Sequence, residues 1–193
     1  MSATNRGSIR RKDDDYQTPL WAIELIVQRF NMTGKVILEP AVGSGNIVQV
    51  IKKYYPKNYG IYGVDINQEY ITNAVENLKI LAECGDYITQ PKYADTIWPD
   101  PDIIITNPPY SLAQEFISRS LEIVKPGGLV IMLLRLSFLE SKKRKEFHQY
   151  NPVDSIYVLS ERPSFTGDGT DACSYAWFVW RRGNKEAKNI FVV

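Results

Sequence analysis

Histidine and cysteine are nearly missing from this 193-residue chain: it has one histidine, His148, and two cysteines, Cys84 and Cys173. That scarcity excludes a zinc site built from spaced Cys and His ligands and argues against a disulfide framework, so no metal is expected. Both cysteines have apolar or aromatic neighbours in sequence and are expected to be buried thiols. No apolar run approaches the roughly 20 residues a membrane-spanning helix needs, and no signal-peptide pattern opens the chain. A cytoplasmic, reducing setting without a membrane partner is the resulting expectation. Charge of one sign is lacking too, with 23 basic against 22 acidic side chains and a net charge of +1. Contacts to nucleic acid must therefore come from local patches, and a small-molecule substrate fits the balance equally well.

What is present is ordinary globular composition, 44% hydrophobic and 23% charged, in a length that suits one domain. Residues 1–14 are polar, with a basic trio at 10–12, and read as a mobile arm ahead of a single domain over 15–193. Leu20, Ile23, Val27 and Phe30 fall at helical spacing, with Thr18 as N-cap and Pro19 at the first helical position. A strand at 35–38 is followed by a helix marked by Ile47, Val50, Ile51 and Tyr54. A second strand at 59–64 precedes a helix with Ile71, Ala74, Val75 and Leu78 inward. The third strand lies near Ile80 to Cys84 or, alternatively, near Tyr93. The runs DIIIT (102–106) and LVIMLL (129–134) have the continuous apolarity of strands buried on both faces. Between them Phe116, Ile117, Leu121 and Val124 mark a helix that Pro126-Gly127-Gly128 stops. Two last strand-like runs, 154–160 and 174–180, have no convincing helix between them and suit an antiparallel pair. Alternating strands and helices give an α/β, doubly wound, Rossmann-like sheet, mostly parallel with one antiparallel strand at the edge. Ligands of such sheets bind at the carboxyl ends of the strands.

The loops at those ends hold the distinctive residues. After the first strand comes Glu39-Pro40-Ala41-Val42-Gly43-Ser44-Gly45. It has neither a Walker lysine nor the GxGxxG spacing of a dinucleotide site, and Glu39 would repel phosphate while suiting a cationic ligand. Taken alone, a plain glycine turn explains the loop as well. Asp65, in Gly63-Val64-Asp65-Ile66-Asn67, could merely cap the next helix. Beside the glycine turn it reads better as the acceptor of two ribose hydroxyls, with Ile66 against a base. Asn107-Pro108-Pro109-Tyr110 follows the buried run DIIIT directly. Its two prolines fix a rigid turn that continues neither a sheet nor a helix. The side-chain oxygen of Asn107 and the carbonyl of Pro108 then form a fixed pair of acceptors for a conjugated amine, and Tyr110 offers a face for a planar base.

In this order LEPAVGSG, GVDIN and NPPY resemble motifs I, II and IV of S-adenosylmethionine-dependent amino-group methyltransferases. The segment Asp15-Tyr16-Gln17-Thr18-Pro19 resembles motif X of the DNA adenine-N6 methyltransferases. The resemblance covers about residues 15–181, the tetrapeptide being its most specific part. It implies S-adenosylmethionine as cofactor, held by Tyr16, Thr18, Pro19, Glu39, Pro40, Ala41, Gly43, Asp65, Ile66 and Asn107. Asp86 resembles the motif III acid, with Asp95 as runner-up. The target-amine grip falls on Asn107, Pro108, Pro109 and Tyr110, and Phe165 stands where motif VIII offers a second aromatic, core packing being its equal alternative. The implied substrate is duplex DNA with the target adenine flipped out. Lys142, Lys143 and Arg144, which open an expected helix with Lys145, are the first candidates for phosphate contacts, although such a charge run also suits a solvated face. Residues 181–182 add a smaller basic pair, and His148 is a poor candidate for a base.

The motif order is that of the gamma group, whose members usually continue into a separate recognition domain. Here recognition is expected to be relaxed, to come from loops such as 166–171, or to be supplied by a dimer or another partner. A compact form of this kind suits a phage, acting in the host cytoplasm. The competing readings are a protein-glutamine methyltransferase, an RNA guanine-N2 methyltransferase, and a non-catalytic DNA-binding partner of another methyltransferase.

Overall fold

A computed structural model describes residues 17–58, 60–90, 99–165, 172–186 and 189–192. Eight strands form one sheet: β1 (Ile37–Glu39), β2 (Ile61–Asp65), β3 (Leu81–Cys84), β4 (Ile103–Thr106), β5 (Leu129–Arg135), β6 (Ser155–Val158), β7 (Tyr175–Arg181) and β8 (Asn189–Val192). Their order across the sheet is β3-β2-β1-β4-β5-β7-β6-β8. β1 to β5 run parallel, β7 pairs antiparallel with both β5 and β6, and β8 pairs parallel with β6. The expected pairing of the last two runs is present, and one strand alone runs against the rest. β8 is an addition to the expected set. At four residues it carries no periodic signature, and its place is set by register with β6.

Helices α1 (Leu20–Val27), α2 (Asn46–Tyr54), α3 (Gln68–Glu76), α4 (Ala113–Ile123) and α5 (Lys145–Tyr150) accompany the sheet. Two apolar clusters fill its two sides. One gathers Ile23, Ile26, Ile47 and Ile51 against Ile37, Ile105, Ile131 and Trp177. The other packs Phe116 and Ile117 against Leu38, Ile104, Met132 and Phe178. Every residue of β4 is buried, as the unbroken apolar run implies for a central strand. Trp177 is fully buried and donates its Nε1 hydrogen to the carbonyl of Ala22 at 2.7 Å, which ties the start of α1 to the sheet.

Local differences from the sequence pattern have simple causes. α1 buries Ala22, Ile23, Ile26 and Val27 and leaves Leu20 exposed, because the helix starts only at Leu20 and ends before Phe30. α2 buries Val48 in addition to Ile47, Val50 and Ile51, and turns Tyr54 outward. On α3 Val75 is exposed, while Leu78 lies beyond the helix end and packs under Gly45. α4 buries Ser120 and Ile123 along with Phe116 and Ile117, and Gly127 at φ 76° turns the chain into β5. The cysteines are not buried thiols. Cys84 is exposed because β3 is the outermost strand on its side, and Cys173 is half-buried just ahead of β7. No helix among the described residues is long and apolar enough to cross a membrane. The expected arm at 1–14 lies outside the described residues.

Candidate active site

The loops that leave β1, β2, β3 and β4 meet at one rim of the sheet, and with Gln17 and Thr18 they enclose a cleft of about 570 Å³. The first wall is the glycine turn. Gly45 donates to the carbonyl of Val42 at 2.8 Å, closing the turn, and both glycines have positive φ, 49° at Gly43 and 85° at Gly45. Only a residue without a side chain adopts those angles cheaply. The turn is locked to the second loop by Asp65, whose Oδ2 accepts the amide of Gly43 and whose Oδ1 accepts the amide of Asn67, each at 2.9 Å. Asp65 therefore holds two loops in register while its carboxylate faces the cleft. Asn67 caps α3 by accepting the amide of Glu69.

Glu39 is the most unusual group here. It is 2% exposed, lines the cleft, and its Oε2 has no hydrogen-bond partner among the described residues. Burial raises its pKa well above the ordinary carboxylate range. The nearby charge of Asp65 adds to that shift, and a hydrogen bond from the amide of Val48 opposes it. Asp86 contributes a third carboxylate and accepts the amide of Ile88 at 2.9 Å, while Tyr87 is buried behind it and bonded to Ser120 at 2.8 Å. Among the described residues, three carboxylates and no lysine or arginine line the cleft. Such a wall repels phosphate and attracts a cation that also carries hydroxyl groups.

Pro40, Ala41, Ile66, Asn107 and Pro109 also line the cleft, whereas Pro19 stands beside it at the head of α1 and Pro108 is buried behind. Pro109, at φ −53° and ψ 121°, carries the chain from β4 into a 3-10 turn at Tyr110–Leu112. Tyr110 belongs to a neighbouring group of side chains. Its ring lies 5.6 Å from that of Tyr175, and the guanidinium of Arg135 sits 5.0 Å from its centroid. Arg135 in turn donates through Nε to the hydroxyl of Tyr175 at 3.2 Å. Asn107 thus stands between an acidic cleft and an aromatic cluster. Phe165 is buried and meets Tyr175 edge-on at 5.0 Å, an arrangement of core packing within that cluster.

The basic run divides. Lys142 and Lys143 are exposed on a 3-10 turn that leads into α5, but Arg144 turns inward. Its guanidinium reaches the carbonyls of Ser137, Phe138 and Glu140 and lies 4.6 Å from the centroid of the Phe138 ring. Arg144 is a staple for the turn after β5. Arg181 and Arg182 serve similarly, capping the carbonyls of Gly127 and Val124. His148 contacts the carbonyl of Phe138 at 3.2 Å and packs against the Phe138 ring. Tyr16, Asp95 and the loop at 166–171 lie outside the described residues. Among the described residues no three His, Cys, Asp or Glu side chains are grouped as a metal would require.

Sequence reasoning missed Asn46, whose Nδ2 donates to the carbonyl of Thr18 at 2.8 Å, and Arg135 and Tyr175, which stand beside Tyr110. The position of Asn46, directly after Gly45 at the head of α2, is the one local signal that could have found it.

The chain matches the model of the N-6 DNA methylase family over residues 5–124, and it belongs to that family. Among curated proteins, the type II methyltransferase M.NspV of a Nostoc species is 28% identical over 82 residues, 38% of this chain and 17% of that protein. Among solved structures, the methyltransferase subunit of a type I restriction-modification system from Streptococcus thermophilus superposes with a TM-score of 0.72. Identity is 14%, over 88% of this chain and 45% of that one. TrmN from Thermus thermophilus gives 0.60 at 20% identity, over 84% and 48%. The chain therefore spans a small part of the curated relative and about half of each of these two structures, and the structural likeness establishes the class I methyltransferase fold.

Proposed function

We propose that this protein methylates the N6 amine of adenine in DNA, with S-adenosylmethionine as methyl donor. The observation that carries the reading is the position of Asn107, which lines the acidic cleft while the next residues lead straight to Tyr110 in its aromatic cluster. A donor and an acceptor bound on either side of Asn107 would meet there.

The cleft fits the cofactor. Among the described residues the buried Oε2 of Glu39 has no partner and no basic side chain lines the cleft, which suits a ligand with cationic groups, and Asp65 suits its ribose hydroxyls. Asp86, which lines the cleft, would meet its base, and Ala41 and Gly43 would leave room for its approach. When bound, the cofactor supplies a methyl group activated by a positive sulfur.

The protein's own contribution is to prepare the amine. An exocyclic amine is a weak nucleophile because its lone pair is delocalised into the ring. Acceptors at Asn107 Oδ1 and the Pro108 carbonyl, each taking one N–H, favour a pyramidal nitrogen with its lone pair directed along the line of attack. Tyr110 supplies a flat surface for the base. Extruding the base costs on the order of a few kcal/mol, which stacking and phosphate contacts must offset. Lys142, Lys143 and Lys145, all exposed, are available to phosphate after β5. After transfer the amine is acidic and releases its proton to water without a dedicated base, in keeping with the structural role of His148. DNA as substrate puts the protein in the cytoplasm, or in the host cytoplasm if a phage encodes it.

The test is transfer of labelled methyl from S-adenosylmethionine to unmethylated DNA, followed by digestion to nucleosides. N6-methyladenine in the wild type and its loss in Asn107→Ala, with cofactor binding retained, is the expected outcome. Label in RNA or protein instead of DNA, or full activity of Asn107→Ala, would overturn the reading.

A further inference from the structure

A threonine just ahead of a helix ordinarily spends its hydroxyl on one of the helix's free amides. Thr18 does not. Among the described residues no side chain caps α1, and the hydroxyl oxygen of Thr18 instead accepts a hydrogen bond from Nδ2 of Asn107 at 3.0 Å, across 89 residues of sequence. Thr18 is 5% exposed, and Nδ2 of Asn46 holds its carbonyl at 2.8 Å. Asn46 is the first residue of α2 and follows the glycine turn directly. The chain ahead of α1, the glycine turn and the end of β4 are thereby joined through three polar side chains.

The two ends of a carboxamide are nearly the same size but opposite in chemistry. Turned one way, Asn107 offers an acceptor to an amine. Turned the other way, it offers N–H against N–H. In the structure Nδ2 is bonded to Thr18, so the amide stands in the first orientation with Oδ1 directed away from Thr18. We propose that Thr18 is the positioning residue that sets the orientation of the Asn107 amide for catalysis, a role distinct from lining the cofactor cleft. The inference rests on Asn107 acting as acceptor for the target amine.

Two readouts test it. In Thr18→Val, which keeps the shape and removes the acceptor, kcat should fall about 3- to 10-fold, the worth of one neutral hydrogen bond expressed as a rate. The fall should persist at saturating S-adenosylmethionine, where a change in cofactor affinity from the cleft lining no longer limits the rate, and Thr18→Ser should restore kcat. Independently of activity, the side-chain NH2 resonance of Asn107, assigned by its loss in Asn107→Asp, should shift in Thr18→Val and return in Thr18→Ser. An unchanged resonance in Thr18→Val overturns the proposal, as does a weakened cofactor affinity with kcat intact. A wild-type protein that leaves DNA unmethylated would remove the functional reading, and the resonance would then decide the Thr18–Asn107 link by itself.

Discussion

The two glycines of the turn after β1 are two residues apart, yet a methyl group added to each should have opposite consequences. At Gly45, which is buried, an ideal Cβ would stand 2.1 Å from Cδ1 of Leu78, and φ is 85°. Left-handed backbone costs a non-glycine residue about 1–2 kcal/mol, and an overpacked core methyl adds about 1–3 kcal/mol. Gly45→Ala should therefore lose about 2–5 kcal/mol of stability. At Gly43 the same Cβ would meet no atom within 4 Å, and φ is 49°, so Gly43→Ala should lose only the backbone share, about 1–2 kcal/mol. For a chain of this length each kcal/mol moves Tm by about 2–4 °C, so the two variants should be separable by calorimetry. Cofactor binding should rank them the other way. Gly43 lines the cleft and its amide meets Asp65, so a methyl there takes space from the ligand, whereas Gly45 is not part of the lining. Titration with S-adenosylmethionine should show Gly43→Ala weakened at least about tenfold and folded Gly45→Ala near wild type. Normal binding by Gly43→Ala, or a Tm for Gly45→Ala as high as that of Gly43→Ala, would refute the assignment of one glycine to the ligand and the other to packing.

Glu39 supplies a second prediction. Its pKa is raised by burial, so the charged form costs stability above the ordinary carboxylate pKa, and the cost is relieved as pH falls through the raised folded value. Glu39→Gln should hence raise Tm at neutral pH and weaken the cofactor. Calorimetric binding in buffers of different ionisation heat should detect proton release as the wild type takes up its cationic ligand, and its absence would mean that Glu39 is already charged in the free protein. The basic run should separate by assay. Alanine at Lys142 or Lys143 should lower the salt slope of DNA binding by about one each with Tm unchanged, whereas Arg144→Ala should lower Tm through its lost carbonyl contacts. A salt slope that moves only with Arg144 would reverse the division.

The sheet and the order of its loops were legible because burial dictates them. Ile103–Ile105 and Leu129–Leu134 have no polar residue to present to water, and the first run leads into Asn107-Pro108-Pro109-Tyr110, too distinctive for a plain connection. The partners of individual polar groups were not legible. Thr18 in sequence stands where an N-cap would, and only folding brings Asn107 within reach of its hydroxyl. Four consecutive basic residues look alike on paper, but carbonyls left open by the turn after β5 capture one of them, Arg144. The aromatic cluster needed β7 to be laid antiparallel beside β5, because that pairing places Tyr175 opposite Arg135.

The same reversal fixes where this fold is open to change. β6 ends at Val158 and β7 begins at Tyr175 on the rim that holds Asn107, so any chain excursion between them starts and returns on paired strands at that rim. Lengthening such an excursion costs only about 0.6 kcal/mol per doubling. Sequence recognition could thus be grafted there, or exchanged between relatives, with the cofactor cleft and the Asn107 turn left untouched on the other strands.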